Sequence, residues 1–499
     1  MKKGVIICLA LVLVITCLAL VACSNSTNKQ DPVETTKSDT VESNGGMAVK
    51  YGNYIYFING YSGVSTLNTY GDVTLGALCR VTLKDGKPDY TTTEMIASKN
   101  VYGEDTTNGG LYILGDYIYY PSTSLQKDSN REYKTSEGVL MRTKLDGSVT
   151  EQVLSFKDNG TVFYAGNNSN YLVYEVDNKL HLLDAKTAEV KDVLVSTAKN
   201  NEYASDVTAQ DYKCVGDYVV YTTYNFANYS NRTNDLLVWL LNLKTGKQKV
   251  VMSSEIYNGN SDATTLFKTT LVDYRMTSDN KIFLLYKKED NTLNGSNKGF
   301  YSYVIDPENP AFDSTKEVRY SNEITNTTYS NGYFLSNGYV VLYGSKVLYF
   351  YDTANNQFLQ KPGAVSTDES QYRTITFSGD ITIASVVEND SSVYMYYLNS
   401  DNQFMYIKLF NKDNNTFTFA EENVVKFFTG KFDSTYVKYD IINNIIYYLN
   451  DDKGDNAFYY VIPDLTTVDA DTDVATGKLL GELTKEQIYS LIVTEDSSN

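Results

Sequence analysis

From Tyr51 to Pro463 the chain alternates. Short runs of β-branched and aromatic residues, with apolar positions two apart, are broken by Gly, Asn and Asp. Period-two patterning of four to eight residues predicts half-buried strands, and the breakers predict tight turns. The clearest unit is Leu114-Gly-Asp-Tyr-Ile-Tyr-Tyr120, followed by Leu140-Met-Arg-Thr-Lys-Leu-Asp-Gly147. Copies of the first half are Gly52–Phe57, Gly115–Tyr120, Gly216–Tyr221 and Asn337–Tyr343, with weaker ones at Asn170–Tyr174, Asp279–Tyr286, Gly379–Ala384 and Asn443–Tyr448. Copies of the second half are Leu78–Gly86, Leu140–Gly147, Leu180–Lys186, Val238–Gly246, Tyr301–Asp306, Leu348–Asp352, Met405–Phe410 and Phe458–Asp464.

These pairs recur at intervals of roughly 40 to 65 residues, which brackets the spacing of four-stranded propeller blades with loop insertions. One such sheet cannot bury both of its faces. Radial stacking buries them and leaves only short edges. The predicted fold is therefore all-β, a β-propeller of four-stranded antiparallel blades. Eight blades follow from the count, and seven is the alternative because the units near Asn170 and Gly379 are weak. Ring closure is expected to borrow a strand from one terminus.

The Gly-Asp-Tyr-Ile-Tyr-Tyr and Leu-x-Arg-x-x-Leu-Asp-Gly signatures resemble the propeller repeats of bacterial surface lipoproteins. More distantly they are similar to low-density-lipoprotein-receptor propellers. The resemblance covers residues 47–468 and implies a fold more than a function, because propellers host unrelated activities. The receptor tetrapeptide Tyr-Trp-Thr-Asp is absent, so that family's ligand rules do not carry over.

The start of the chain changes the picture. Lys2 and Lys3 precede an apolar run from Val5 to Val21, and Leu20-Val21-Ala22-Cys23 follows. A basic n-region, an apolar h-region and small residues at the cut make an export signal over 1–22. The Leu-Val-Ala-Cys ending resembles a bacterial lipobox. That resemblance implies diacylation of Cys23, which anchors a chain to a membrane without spanning it. Residues 23–46 then read as the lipidated cysteine and a disordered polar linker. As a flexible coil the linker would span on the order of 25 Å. The propeller is expected over 47–468, on the extracytoplasmic face of the cell membrane.

Charge argues about partners. Removing Lys2 and Lys3 from the 43 basic residues leaves 41 against 61 acidic ones, a net charge of −20. Such a surface repels nucleic acid and anionic lipid. Cys79 and Cys214 remain besides Cys23. Two cysteines make no disulfide framework, and both a pair and two buried thiols fit their strand-like contexts.

After Asp464 the pattern shifts to an acidic connector and a short helix over 469–499. Thr484 as N-cap, Gln487 at N3 and the Leu483/Ile488 staple predict that helix at 485–492. Asp469, Asp471 and Asp473 alternate like the start of a calcium loop. The pattern then fails, with Val474 where Gly is required and Leu480 where the bidentate Glu should stand. No metal or cofactor is expected, with calcium at these three residues the single candidate.

Catalytic signatures are missing. His181 is the single histidine, so any Ser or Cys nucleophile would have to use it. There is no Gly-x-Ser-x-Gly elbow, phosphate loop or dinucleotide fingerprint. Carboxylates abound, but the sequence selects no glycosidase pair. The reading is a non-enzyme. In an antiparallel blade, the loop between strands two and three shares a face with the connection to the next blade, and those are the long segments here. They carry Tyr61, Tyr70, Tyr133, Tyr203, Tyr224, Phe226, Tyr229 and Tyr257. Tyrosine anchors protein interfaces and stacks on sugars. These eight residues are the candidate ligand site. The expected role is non-catalytic binding or scaffolding of a protein through the long-loop face, with a cell-surface glycan ligand as the alternative and an extracytoplasmic hydrolase third.

Overall fold

The computed structural model describes residues 41–59, 77–97, 110–123, 138–156, 162–176, 179–195, 209–226, 233–257, 267–277, 280–290, 299–320, 331–366, 368–388, 391–401, 404–417, 424–426, 439–442, 445–450, 457–461 and 478–479. Among them the strands group into eight antiparallel sheets, each built from consecutive segments. Sheet one holds β1 (Val41–Glu42), β2 (Ala48–Tyr51), β3 (Tyr54–Asn59), β4 (Ala77–Lys84) and β5 (Lys87–Ala97). Sheet two holds β6 (Tyr112–Leu114), β7 (Tyr117–Thr123), β8 (Gly138–Lys144) and β9 (Thr150–Phe156). Sheet three holds β10 (Val162–Asn167), β11 (Tyr171–Val176), β12 (Lys179–Asp184) and β13 (Val190–Val193). Sheet four holds β14 (Ala209–Val215), β15 (Tyr218–Phe226), β16 (Thr233–Asn242) and β17 (Gln248–Tyr257).

Sheet five follows with β18 (Phe267–Met276), β19 (Ile282–Asp290), β20 (Gly299–Ile305) and β21 (Val318–Arg319). Sheet six has β22 (Asn331–Phe334), β23 (Tyr339–Tyr343), β24 (Val347–Asp352), β25 (Gln357–Phe358) and β26 (Thr374–Thr376). Sheet seven has β27 (Thr382–Glu388), β28 (Ser392–Leu398), β29 (Phe404–Asn411), β30 (Thr416–Phe417) and β31 (Val424–Lys426). Sheet eight has β32 (Tyr439–Ile442), β33 (Ile445–Asn450), β34 (Ala457–Val461) and β35 (Lys478–Leu479). The first strands meet across sheets: β10 lies against β14, β18 against β22, and β2 against both β6 and β32. This is the propeller arrangement, with those strands innermost around the axis.

The core is divided among the gaps between sheets. Val173, Leu182, Val219 and Trp239 fill the gap between sheets three and four. Val220, Val238, Leu284 and Tyr303 fill the next one. Ile442, Ile445 and Tyr447 of the last sheet share a core with Ala48, Phe57 and Val139, so the ring closes there. The first-half signature is the second strand of a sheet and its approach. Gly52, Gly115 and Gly216 take φ of 56°, 59° and 59° in the turn, which favours glycine. The second-half signature is the third strand. Its terminal Asp or Asn folds the next turn: Asp184 accepts from the N–H groups of Lys186 and Thr187, and Asn242 from those of Lys244 and Thr245.

The blades are four strands wide, as expected: β25 with β26, and β30 with β31, are short segments that share the fourth position along β24 and β29, and only sheet one gains a further strand, β1. Three expectations are corrected. No α-helix occurs among the described residues, which hold only 3-10 turns at Ser314–Lys316 and Glu369–Gln371. The expected helix at 485–492 lies outside them, and the described part of the 469–499 segment is strand β35. Gly379–Ala384 is no second strand; its last residues begin the inner strand β27, and β28 is the second strand. The polar stretch that ends at Gly46 is not all linker, since β1 pairs with β2 through Val41↔Tyr51 and Glu42↔Lys50.

Among the described residues, sheets one and eight are joined by a side chain and a shared core, with no strand exchanged between them. The Asp440 carboxylate on β32 accepts from the Met47 N–H (2.7 Å), the Ala48 N–H (2.9 Å) and the Ser43 hydroxyl (3.0 Å). On the other side, Asn44 accepts from the Ile113 N–H and donates to its carbonyl, while the Leu111 carbonyl accepts from the Gly45 N–H and its N–H donates to the Gly46 carbonyl. Gly46 is required here, because a Cβ would sit 2.1 Å from the Asp440 carboxylate.

Candidate functional site

Three of the conspicuous sequence features share one structural device. Tyr56, Arg80 and Glu94 lie side by side across β3, β4 and β5. Tyr119, Arg142 and Glu151 do so across β7, β8 and β9. Tyr174, His181 and Asp192 repeat the row across β11, β12 and β13. His181 thus occupies the repeat's arginine position. Its Nδ1 lies 2.9 Å from an Asp192 carboxylate oxygen, and its ring stacks on Tyr174 with centroids 5.2 Å apart. Arg80 pairs with Glu94 and donates to the Leu145 carbonyl of the next sheet at 3.1 Å. The Tyr119 hydroxyl donates to the Ala185 carbonyl of the next sheet at 2.9 Å. Trp239 is likewise structural. It stacks on Tyr221 and donates to the Thr223 hydroxyl at 2.9 Å. Cys79 and Cys214 are free thiols on different sheets. Burial pushes Cys214 up to about 12 and raises Cys79 further, so neither is a ready thiolate.

Charge concentrates on the inner strands of sheets four and five. Asp211-Tyr-Lys213 lies on β14 and Asp273-Tyr-Arg275 on β18, each beside a β-bulge that re-aims the strand's side chains. Asp211 holds φ of 57° and accepts from the Thr222 hydroxyl at 2.8 Å. Lys213 sits over the Tyr274 ring at 4.6 Å, and the Tyr274 hydroxyl returns to the Asp211 carbonyl at 3.2 Å. Arg275 pairs with Asp273 at 2.6 Å and lies 3.6 Å from the centre of the Tyr333 ring. The Tyr333 hydroxyl continues to the Val386 carbonyl of sheet seven at 3.1 Å. Glu175 faces this wall, and burial, then the Asp211 charge, raises its carboxyl above the ordinary value. The sequence signal is an Asp-Tyr-basic tripeptide on two first strands, away from the loops that carry the rim tyrosines.

Beyond the Met276 end of this wall a cavity of about 750 Å³ opens among the tight turns of sheets three to five. Asn168, Asp217, Tyr218, Asn280, Lys281, Asp306 and Glu308 line it. Its acids are engaged. Asp217 pairs with Lys244 at 2.5 Å and accepts from the Asn168 amide, and Glu308 accepts from the Tyr218 hydroxyl at 3.1 Å. Burial, then that Glu308 contact, raises the Tyr218 phenol. The lining offers polar donors and acceptors for a hydrophilic ligand. Among the described residues no group of His, Cys, Asp and Glu gathers to hold a metal ion.

Of the expected ligand residues, Tyr61, Tyr70, Tyr133, Tyr203 and Tyr229 lie outside the described residues, as do Cys23 and Asp469, Asp471 and Asp473. Tyr224 and Phe226 fall on β15 and Tyr257 ends β17, with only their strand positions described. Their backbones belong to an extension. β15 and β16 pair from Tyr218↔Asn242 as far as Phe226↔Asn234, nine residues, whereas β11 and β12 pair over six. β18 and β19 likewise continue to Phe267↔Asp290. At about 3.3 Å per residue, sheet four projects about 10 Å beyond sheet three on the long-loop side.

No protein-family model matches the chain, and no curated protein matches it. Among solved structures it is similar to an oligogalacturonate lyase in complex with manganese (14% identity, TM-score 0.38, 73% of this chain and 96% of that one). It is also similar to Porphyromonas gingivalis dipeptidyl peptidase 4 (10%, 0.44, 84% and 58%). A third is the β-propeller domain of the Trilobed protease from Pyrococcus furiosus (11%, 0.38, 74% and 94%). Likeness at this level says nothing about chemistry.

Proposed function

We propose that this chain is a lipid-anchored, extracytoplasmic binding protein. Cys23 carries the lipid, and the ring is a scaffold that engages a protein partner through its long-loop face. The observation that carries the reading is the two-sheet ridge of β15–β19. Long paired strands hold a recognition surface more firmly than loops do, and rigid presentation lowers the ordering cost of binding. The charged and aromatic groups on the inner wall are engaged in bonds between neighbouring sheets, which suits a scaffold better than a reaction centre. The polar cavity among the tight turns favours a second reading, a glycan ligand.

The test is crosslinking capture from intact cells, comparing the native protein with a Tyr224/Phe226/Tyr229→Ser variant. A partner captured by the native protein and lost at least tenfold in the variant supports the protein-binding reading. Equal capture, or none, removes it. Oligosaccharide binding by the 24–499 fragment would then support the glycan reading. Metabolic labelling with a fatty-acid analogue tests the anchor separately: label should be lost in Cys23→Ser.

A further inference from the structure

The first strand fixes where the chain leaves the ring. β2 is the innermost of the four basic strands of its sheet, since it lies against the inner strands β6 and β32. β1 pairs with its remaining edge, so β1 stands on the axial side of β2. The direction is set by register. β2 runs from Ala48 to Tyr51 into the tight turn at Gly52, and Val41 sits opposite Tyr51. Val41, where the described chain begins, therefore lies at the end of β1 nearest that turn, close to the axis on the tight-turn face.

We infer that the tight-turn face is the membrane-proximal face, with the long-loop face and its ridge directed away from the lipid. This rests on the proposed lipid at Cys23. Eighteen peptide steps separate Cys23 from Val41, a reach of about 60 Å when fully extended. Turning the other face to the lipid would require that segment to cross the radius of the ring and then its height. Four strands at about 4.8 Å plus the axial space give a radius of about 25 Å, six residues of strand give about 20 Å of height, and the ridge adds about 10 Å. That path consumes nearly the whole contour and leaves the segment almost no conformational freedom. The tight-turn face needs none of it. Its exposed turns interleave acids such as Asp85, Asp116 and Glu308 with Lys84, Lys186 and Lys244, so the tether, and not a one-signed charged patch, holds it near the lipid. The polar cavity then opens toward the membrane and the ridge toward partners from outside the cell.

Energy transfer to a labelled bilayer tests this on the full lipidated chain. Lys179 and Lys186 are exposed at opposite ends of β12, Lys179 on the long-loop side and Lys186 in a tight turn. Each is replaced by cysteine in a Cys214→Ser background, labelled with a donor, and the protein is reconstituted into phosphatidylcholine vesicles carrying a headgroup acceptor. Transfer from position 186 should exceed that from position 179 about twofold or more, because about 20 Å of strand separates them. Equal transfer, or more from 179, overturns the orientation while leaving the anchor intact. A Cys23→Ser version of each protein should show none. If the lipidation-competent protein matches that control, the anchor reading fails and the orientation falls with it.

Discussion

Burying a phenol between two sheets costs least where its hydroxyl finds an acceptor, and for Tyr119 the acceptor belongs to the neighbouring sheet. The Tyr119 hydroxyl is fully enclosed, donates to the Ala185 carbonyl, and in turn accepts from Arg142 at 3.4 Å. Tyr119→Phe keeps the ring packing and deletes the stitch. The expected cost is about 1–2 kcal/mol, since a buried carbonyl loses its donor, read by chemical denaturation. His181 gives the complementary case. It stands where the two preceding rows have arginine, between an aromatic ring and a carboxylate. His181→Arg should change stability by less than about 0.5 kcal/mol, since guanidinium suits that slot in sheets one and two. A drop of several kcal/mol would mean that the imidazole does something the row does not explain.

At the scale of single elements, the weight falls on the turn Ser43–Gly46 and on the one carboxylate that receives it. Removing the Asp440 carboxylate orphans two backbone N–H groups and a hydroxyl. Asp440→Ala should cost roughly 3 kcal/mol, because each unsatisfied group costs about 1 kcal/mol or more. Asp440→Asn should cost less than half of that, since its single oxygen can still take both N–H groups. Amide exchange at Met47 and Ala48 would localise the effect. This clasp was not legible in the sequence, because Asp440 and Ser43 are nearly four hundred positions apart and neither sits in a repeat signature. The strands were legible, because alternation and turn residues are local. The exception is instructive: Gly379-Asp380 carries the turn signal but feeds the inner strand β27, while Ser392–Leu398 supplies the second strand without a glycine before it. The candidate site was the least legible. The eight rim residues follow from loop length, whereas the Asp211 and Asp273 wall is created by bulges and by packing between sheets.

For the whole molecule, the position of closure decides which truncations it tolerates. Composition alone marks residues 24–46 as spacer. The structure divides that stretch at Val41. Residues 41–46 supply β1, the donor to Asp440 from Ser43, and the Asn44 and Gly45 bonds that tie sheet one to sheet two. A chain lacking 24–40 should therefore unfold at the same temperature as the 24–499 protein. A chain lacking 24–46 loses contacts on both neighbours of sheet one at once and leaves the Ile113 N–H and the Leu111 carbonyl without their partners. In a ring, one loosened junction exposes two sheet faces, so the loss should propagate into sheets one and eight and not remain local. Thermal unfolding of the shorter chain should begin several degrees lower and show a separate early phase, with new protease cleavage in sheets one and eight. If both truncations melt alike, the ring does not depend on its N-terminal turn, and the core shared by Ile442, Ile445 and Tyr447 with Ala48 and Phe57 is sufficient to close it.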